Sequence, residues 1–340
     1  MCICIVKINS ILFFLLLSYF GHCQEVTIAF GSCANQDLKN SFWPEILSHN
    51  PDIWLWGGDN IYADTGNYEV LKKMYRQQSL QNGYKKLTKH CKITGVWDDH
   101  DYGTNDGGKF FAQKEITKKA AVEFLQFDKD EPVRQRKGLD STITIKNIRI
   151  INLDTRYFRD TVYKYYFIDT LTQKRAYGFQ QNLEGDILGE AQWHWLEKTI
   201  ADSNEKFIII NSSVQVIARD HRWEKWGNFP KSLEQLHTLL TKFPDKKVLF
   251  ISGDRHIAEI SSEKIEGLSY PLYDFTSSGL THTWDNKRME MNRFRIGELI
   301  IEKNYGVIRI KENTNHYTVN LQVWGEQKKL LLEENVTLPK

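Results

Sequence analysis

The chain is poor in several residues whose abundance would define a class. Of its 340 residues only five are cysteine, seven proline and four methionine. Three of the cysteines (Cys2, Cys4 and Cys23) fall within the first 23 residues, which leaves Cys33 and Cys91 for the rest. A disulfide scaffold is therefore excluded, although a single Cys33–Cys91 bridge stays open in an oxidising compartment. No low-complexity tract, repeat or Pro/Ser-rich linker divides the sequence. Neither sign of charge is in excess: 45 Lys and Arg face 43 Asp and Glu, a formal charge of +2. That balance gives no basic footprint for nucleic acid and no acidic tail. No apolar run reaches the ~20 residues that a membrane-spanning helix needs. The longest, Ile8 to Phe20, is interrupted by Asn9, Ser10 and Ser18 and preceded by Lys7.

That run, followed by small residues, has the shape of a secretory leader. Residues 1–23 are expected to be a signal peptide and 24–340 a single domain, exported to the periplasm or the exterior. Lipidation at Cys23 would instead tether the protein to a membrane; His22 before it is a poor match for that signal. What remains is rich in core-forming residues. Apolar residues are 41% and aromatics 13%, which excludes disorder or a collagen-like chain.

Strand-like and helix-like segments alternate along the chain. Val26–Phe30, Asp52–Trp56, Lys92–Trp97, Phe207–Ile210 and Val248–Ser252 are short β-rich runs. Phe42–Leu47, Tyr68–Leu80, Lys114–Phe127, Glu190–Ala201 and Leu233–Leu240 have helical spacing. Thr142–Ile145 and Ile148–Leu153, split by Lys146-Asn147, predict a hairpin. The aromatic stretch Tyr157–Phe179 has weak periodicity and reads as an irregular insertion over the site. Strands at Leu272–Thr276, Leu299–Glu302, Val307–Lys311 and Tyr317–Trp324 make the C-terminal third mostly β. The expected class is mixed α/β, with two packed mixed sheets and helices outside.

Chemistry gathers where strands end. Four apolar strands run into clusters of potential metal ligands: Gly31-Ser32-Cys33, Gly57 to Tyr62 (GGDNIY), Trp97 to Asp101 (WDDHD) and Gly253 to His256 (GDRH). Taken singly, each has an ordinary explanation. An Asp after Gly-Gly is commonly a turn former, and a lone Cys or His is commonly a packed or surface residue. Four together are not well explained by four independent turns. Open α/β sheets place sites at the carboxyl ends of strands, and gathered carboxylates repel unless a cation offsets them.

The order of these clusters resembles the calcineurin-like metallophosphoesterases, and within them the alkaline phosphatase D (PhoD-like) branch, from about Ile28 to Leu280. Gly-Ser-Cys stands where the wider superfamily has Asp-x-His, Asp98-Asp99-His100-Asp101 where it has Gly-Asn-His-Glu/Asp, and Gly253-Asp254-Arg255-His256 where it has Gly-His-x-His. The resemblance implies a two-sheet sandwich and a dinuclear centre. Asp59 would bridge the two metals, Cys33, Tyr62 and His256 would hold the first, and Asp99 and Asp254 would share the second, with Asn105 completing it. Thiolate, phenolate and imidazole suit a transition metal and carboxylates a hard cation. The resemblance implies Fe3+ and Ca2+; the ligand types also admit Zn2+, Mn2+ or Mg2+. Carried over in the same way, His100 would contact phosphate or the leaving oxygen, with Asp101 orienting it. Arg156, after the Leu153-Asp154-Thr155 strand end, would face the substrate phosphate, a role that suits a guanidinium fork.

The implied activity is phosphoric ester hydrolysis by metal-bound hydroxide on a small mono- or diester, phospholipase D-like chemistry included. Two other readings remain. One makes Cys33 a metal-free nucleophile. The other makes the chain an exported calcium-binding protein without turnover, because the superfamily's ligand His is missing from Asn211 to Gln215, where Asn211 or Gln215 would have to substitute. Trp223, Trp226 and Phe229 form either a substrate wall or interior packing. Ser277, Ser278, Gly279 and His282 form a late loop that could border the pocket.

Overall fold

Alternation along the strands sorts side chains to two faces. In Glu25–Gly31 (β1), Val26, Ile28 and Phe30 point one way and Ala29 the other; in Ile53–Gly57 (β2), Ile53 and Leu55 oppose Trp54 and Trp56. A computed structural model describes residues 25–170, 172–284 and 290–340. The expected leader, with Cys2, Cys4, Cys23 and Gln24, lies outside the described residues. Both faces of these strands are buried, as period 2 requires of a sheet covered on both sides.

Two large sheets make the frame. The first has the order β15-β14-β13-β1-β2-β3, with β3 at Lys92–Val96, β13 at Tyr305–Glu312, β14 at His316–Trp324 and β15 at Leu330–Pro339. Its β1, β2 and β3 run parallel, while β13, β14 and β15 form an antiparallel meander joined to β1. The second sheet has the order β12-β10-β11-β9-β8-β5-β4. Its strands are β4 Ser141–Ile145, β5 Ile148–Asn152, β8 Phe207–Asn211, β9 Lys247–Ser252, β10 Ala258–Glu263, β11 Leu272–Ser277 and β12 Arg295–Ile300. Here β5, β8, β9 and β11 are parallel neighbours. β4 and β5 form the expected hairpin about Lys146-Asn147.

The larger core lies between the sheets and continues under α6 (Gly189–Ala201) and α7 (Pro230–Thr241), through Leu196, Ile200, Leu236 and Leu240. A second core, rich in Trp and Tyr, fixes α1 (Trp43–Ser48), α2 (Tyr68–Ser79), α3 (Tyr84–His90) and α5 (Lys114–Phe124) to the outer face of the first sheet. Trp43, Trp54, Trp56 and Tyr84 pack edge-on or tilted within 5.6 Å of one another, an arrangement aromatic quadrupoles favour.

Several elements differ from expectation, among them β15, which the sequence reading does not contain. The stretch expected to be irregular contains a two-stranded antiparallel sheet, β6 (Tyr163–Ile168) against β7 (Arg175–Gln180). Its residues are exposed on both faces of β6, so no polar alternation marks it. α3 and β10 were not expected: α3 carries Lys85, Lys86 and Lys89 among few apolar residues, and β10 is a small-residue and polar strand, AEISSE. Strand pairing, rather than intrinsic preference, holds such a sequence extended.

Candidate metal centre

Each ligand-bearing turn follows a parallel strand. Cys33 comes after β1, Asp59 after β2 and Asp254 after β9, and Asp98 after β3 caps the single-turn helix α4 (Asp99–Tyr102). The ends of the two sheets touch at glycines. A Cβ at Gly253 would stand 2.6 Å from the Gly57 carbonyl oxygen, and one at Gly58 would stand 3.1 Å from the Ser213 Cβ. Past these points the backbone turns sharply. Cys33, Asp59, Asp254 and His256 have φ of 60°, 51°, 65° and 56°, the left-handed region. Each non-glycine residue there costs about 1 kcal/mol or more, and the conformation persists where its surroundings dictate it.

Asp59 is the hub. Ligand atoms of Cys33, Asp59 and His256 lie within 4.8 Å of one another, as do those of Asp59, Asp99 and His100, and those of Asp59, Asp98, Asp99 and Asp254. Asp59 Oδ2 is 3.6 Å from Cys33 Sγ and 3.5 Å from the Tyr62 hydroxyl, which is 2.9 Å from His256 Nε2. The structure thus brings together Cys33, Asp59, Tyr62, Asp99, Asp254 and His256, and places Asp59 where a bridging ligand would stand.

The electrostatics show what this crowding does. Burial, then the charges of Asp59 and Asp254, push the Cys33 thiol up, and burial does the same to the Tyr62 phenol. Asp59 and Asp254 are raised well above the carboxylate range, first by burial. Asp99 is held below it: burial opposes this, but Arg156, His100 and the Asp106 N–H outweigh burial. His256 is pushed well below its usual value, mainly by burial, and so is a neutral imidazole fit for ligation.

The donor set suits metal ions. Asp98 Oδ2 and Asp254 Oδ2 are buried without a hydrogen-bond partner among the described residues, and the nearest cation to the latter is Arg255, at 3.5 Å. Buried carboxylate oxygens are ordinarily satisfied, so a cation is the missing partner the chemistry calls for. Cys33, Tyr62 and His256 collect on one side of Asp59 and carboxylates on the Asp99–Asp254 side, a donor set that fits cations.

Other expected residues fall elsewhere. Arg156 is fully buried, not open to substrate: Nε meets Asp98 Oδ1 at 2.5 Å and Nη1 meets Glu224 Oε2 at 2.7 Å. Its Nε and Nη1 tie Asp98 to Glu224, while Nη2 is buried without a hydrogen-bond partner among the described residues. Asn105 is exposed and its amide turns onto Asp106 at 2.7 Å; the backbone N–H of Asp106 is the group that reaches Asp99 Oδ2, at 2.7 Å. Asp101 does not orient His100. It closes the capping box of α4 and accepts from the Asn60 amide. Asp64 holds His100 instead, at 2.9 Å from Nδ1. The Gln215 amide nitrogen donates to Glu259 and Thr276 and that of Asn211 to the Trp56 carbonyl and Asn152, while the side-chain oxygens of both are buried without a hydrogen-bond partner among the described residues. Cys33 and Cys91 are both free thiols.

Sequence reasoning missed Asp64, Glu224 and the contribution of Asp98. Asp64 has φ 45°, a strain invisible in one sequence, and Glu224 lies in an aromatic loop with no pattern of its own. His282, in the late loop expected near the pocket, packs its ring 4.3 Å from His256 and 5.0 Å from Tyr62.

Comparison with known proteins supplies a family and a fold. The model of the PhoD-like phosphatase family matches residues 28–321. The solved structure of PhoD superposes with a TM-score of 0.68 at 15% identity, covering 92% of this chain and 68% of that one. A conserved uncharacterised protein of Streptococcus pneumoniae TIGR4, described as a predicted phosphoesterase, gives a TM-score of 0.33 at 8% identity over 92% and 98% of the two chains, too slight a likeness to argue from. No curated protein sequence matches significantly.

Proposed function

The chain belongs to the PhoD-like phosphatase family, and we propose that it hydrolyses small phosphoric esters at a two-metal site outside the cytoplasm. The observation that carries the site is the meeting of Cys33, Asp59, Tyr62 and His256 with Asp99 and Asp254 at the joined ends of two sheets. Cys33, Tyr62 and His256 would hold the first ion, Asp99 and Asp254 with Asp98 beside them the second, and Asp59 both. When bound, such ions withdraw charge from the phosphoryl oxygens and make attack by water feasible near neutral pH. The expectation of export rests on the first 23 residues.

The chain's own side chains do the rest. His100 is gripped at Nδ1 by Asp64, which leaves Nε2–H free as a donor. Burial alone would lower its pKa, but the bond to Asp64 and the charges of Asp59 and Asp99 raise it to about 10. A charged ring there can neutralise a phosphoryl oxygen or deliver its proton to the departing alkoxide. Tyr62 stacks on His100 at 4.2 Å and keeps that ring facing the site. Arg156 and Glu224 fix Asp98 without touching substrate.

Elemental analysis of protein purified without chelator, with paired assays on p-nitrophenyl phosphate and bis-p-nitrophenyl phosphate, tests the reading. Two metal equivalents and hydrolysis lost on chelation are expected; the ratio of the two rates assigns mono- or diesterase. Activity that survives chelation and is blocked by thiol alkylation would overturn it in favour of Cys33 as nucleophile.

A further inference from the structure

A line of aromatic rings leaves the metal centre. The backbone N–H of Trp284 donates to the His256 carbonyl at 3.0 Å, and its ring lies 5.4 Å from the His256 ring, only 21° from parallel. Trp223 lies 6.3 Å beyond and within 6° of parallel, and Tyr177, on β7, stands edge-on to Trp223 at 5.8 Å. Cations line the same course: Arg222 is 4.5 Å and Arg255 5.1 Å from the centroid of Trp223, and Lys164 is 4.5 Å from that of Tyr177.

The neighbouring aromatics are used differently. Trp226 is fully buried, packs against Trp193 and gives its N–H to Ser212. Phe229 is fully buried too. These two are interior packing, whereas Trp223 is half-buried and Trp284 is 45% exposed. A large indole left that open beside a reaction centre is surface available for stacking.

We propose that Trp284, Trp223 and Tyr177 form a subsite for a flat ring carried by the esterified alcohol, so that the preferred substrates are phosphoesters of aryl or nucleoside alcohols. This rests on the phosphoesterase reading, since the ring lies beside a phosphoryl group held at the metals. The strip starts at a candidate ligand residue, so it continues the site. Its rings supply stacking surface, and Arg222 over Trp223 is a cation beside it, whereas Arg255 and Lys164 are already paired with Glu290 and Asp106.

The test is calorimetric binding of phosphonates that the enzyme cannot hydrolyse: methylphosphonate, phenylphosphonate and an adenine-bearing alkylphosphonate. At least one ringed compound is expected to bind roughly tenfold tighter than methylphosphonate, within the range base stacking gives. Tighter binding of the adenine compound identifies nucleoside esters; tighter binding of the phenyl compound identifies aryl esters. Trp284→Ala and Trp223→Ala should each bring the ratio towards one, and Trp223→Phe should keep it. Should Trp223→Ala fail to fold, the exposed Trp284 still decides. Equal binding of ringed and ring-free phosphonates, or an advantage that persists in both alanine variants, overturns the subsite alone. No binding of any phosphonate, together with no ester hydrolysis, overturns the phosphoesterase reading and the subsite with it.

Discussion

At the scale of single residues, His100 has a state set by its neighbours. In metal-free protein its pKa is raised to about 10 by Asp64, Asp59 and Asp99 against the effect of burial. A folded pKa above the unfolded value of about 6.5 stabilises the fold fully below that value, and the contribution is lost as pH rises through 10. NMR titration of the metal-free protein should therefore find His100 charged at pH 8. Asp64→Asn should bring the value down, and metal binding should do so as well, because ions at Asp59 and Asp99 cancel the charges that hold the proton. A His100 that titrates near 6.5 in metal-free protein would contradict this. Asp59 makes the stronger prediction. It belongs to every ligand group at the site, so Asp59→Asn should lower bound metal below one equivalent and hydrolysis by at least ~100-fold, measured by elemental analysis and steady-state rates.

At the scale of elements, the strand ends carry the argument. The sequence announced them because a β-rich run ending in a short cluster of potential ligands recurs four times, and β1, β2, β3 and β9 formed as that pattern required. It did not announce the turns themselves. Nothing local says that Asp59 and Asp254 take positive φ, that Asp64 faces His100, or that Arg156 points inward to Asp98; these follow from elements brought together from distant parts of the chain. The hairpin of β6 and β7 escaped for another reason: β6 is exposed on both faces and β7 buries only adjacent Gly178 and Phe179, so neither strand alternates. The Arg156 ion pairs test how far the turns depend on one another. Arg156→Met should cost about 3–5 kcal/mol in denaturant unfolding, since buried Asp98 would lose its one ion pair and Glu224 would keep only Arg159, and a loss within 1 kcal/mol would contradict the anchoring role. Gly58→Ala should also destabilise the fold, by roughly 1–3 kcal/mol, because φ is +95° there and Asp98 blocks the new methyl.

At the scale of the whole molecule, the acidic cluster ties stability to metal and to pH. Burial raises Asp98 to about 6, although Arg156 opposes it, and burial raises Asp101 to about 7. Acids raised in the fold bind more protons there than in the unfolded chain, so the metal-free protein should lose stability as pH rises from about 4 to about 7. Bound ions offset the buried negative charge whose desolvation drives this loss. Chelation at pH 8 should therefore lower Tm by roughly 5 °C or more, the drop should shrink towards pH 5, and added metal should reverse it. A Tm indifferent to chelation at pH 8 would mean that these carboxylates hold no ion.

The division of the ligands between two sheets also governs biosynthesis. Cys33 and His256 are 223 positions apart, and neither strand bundle contains a complete set of donors. While the first half of the polypeptide is emerging from the ribosome, its thiol and its acids have nothing to close around. Metal capture by the proposed ligand set would wait until the chain has passed His256 and the two sheets have docked, so loading would report on correct assembly.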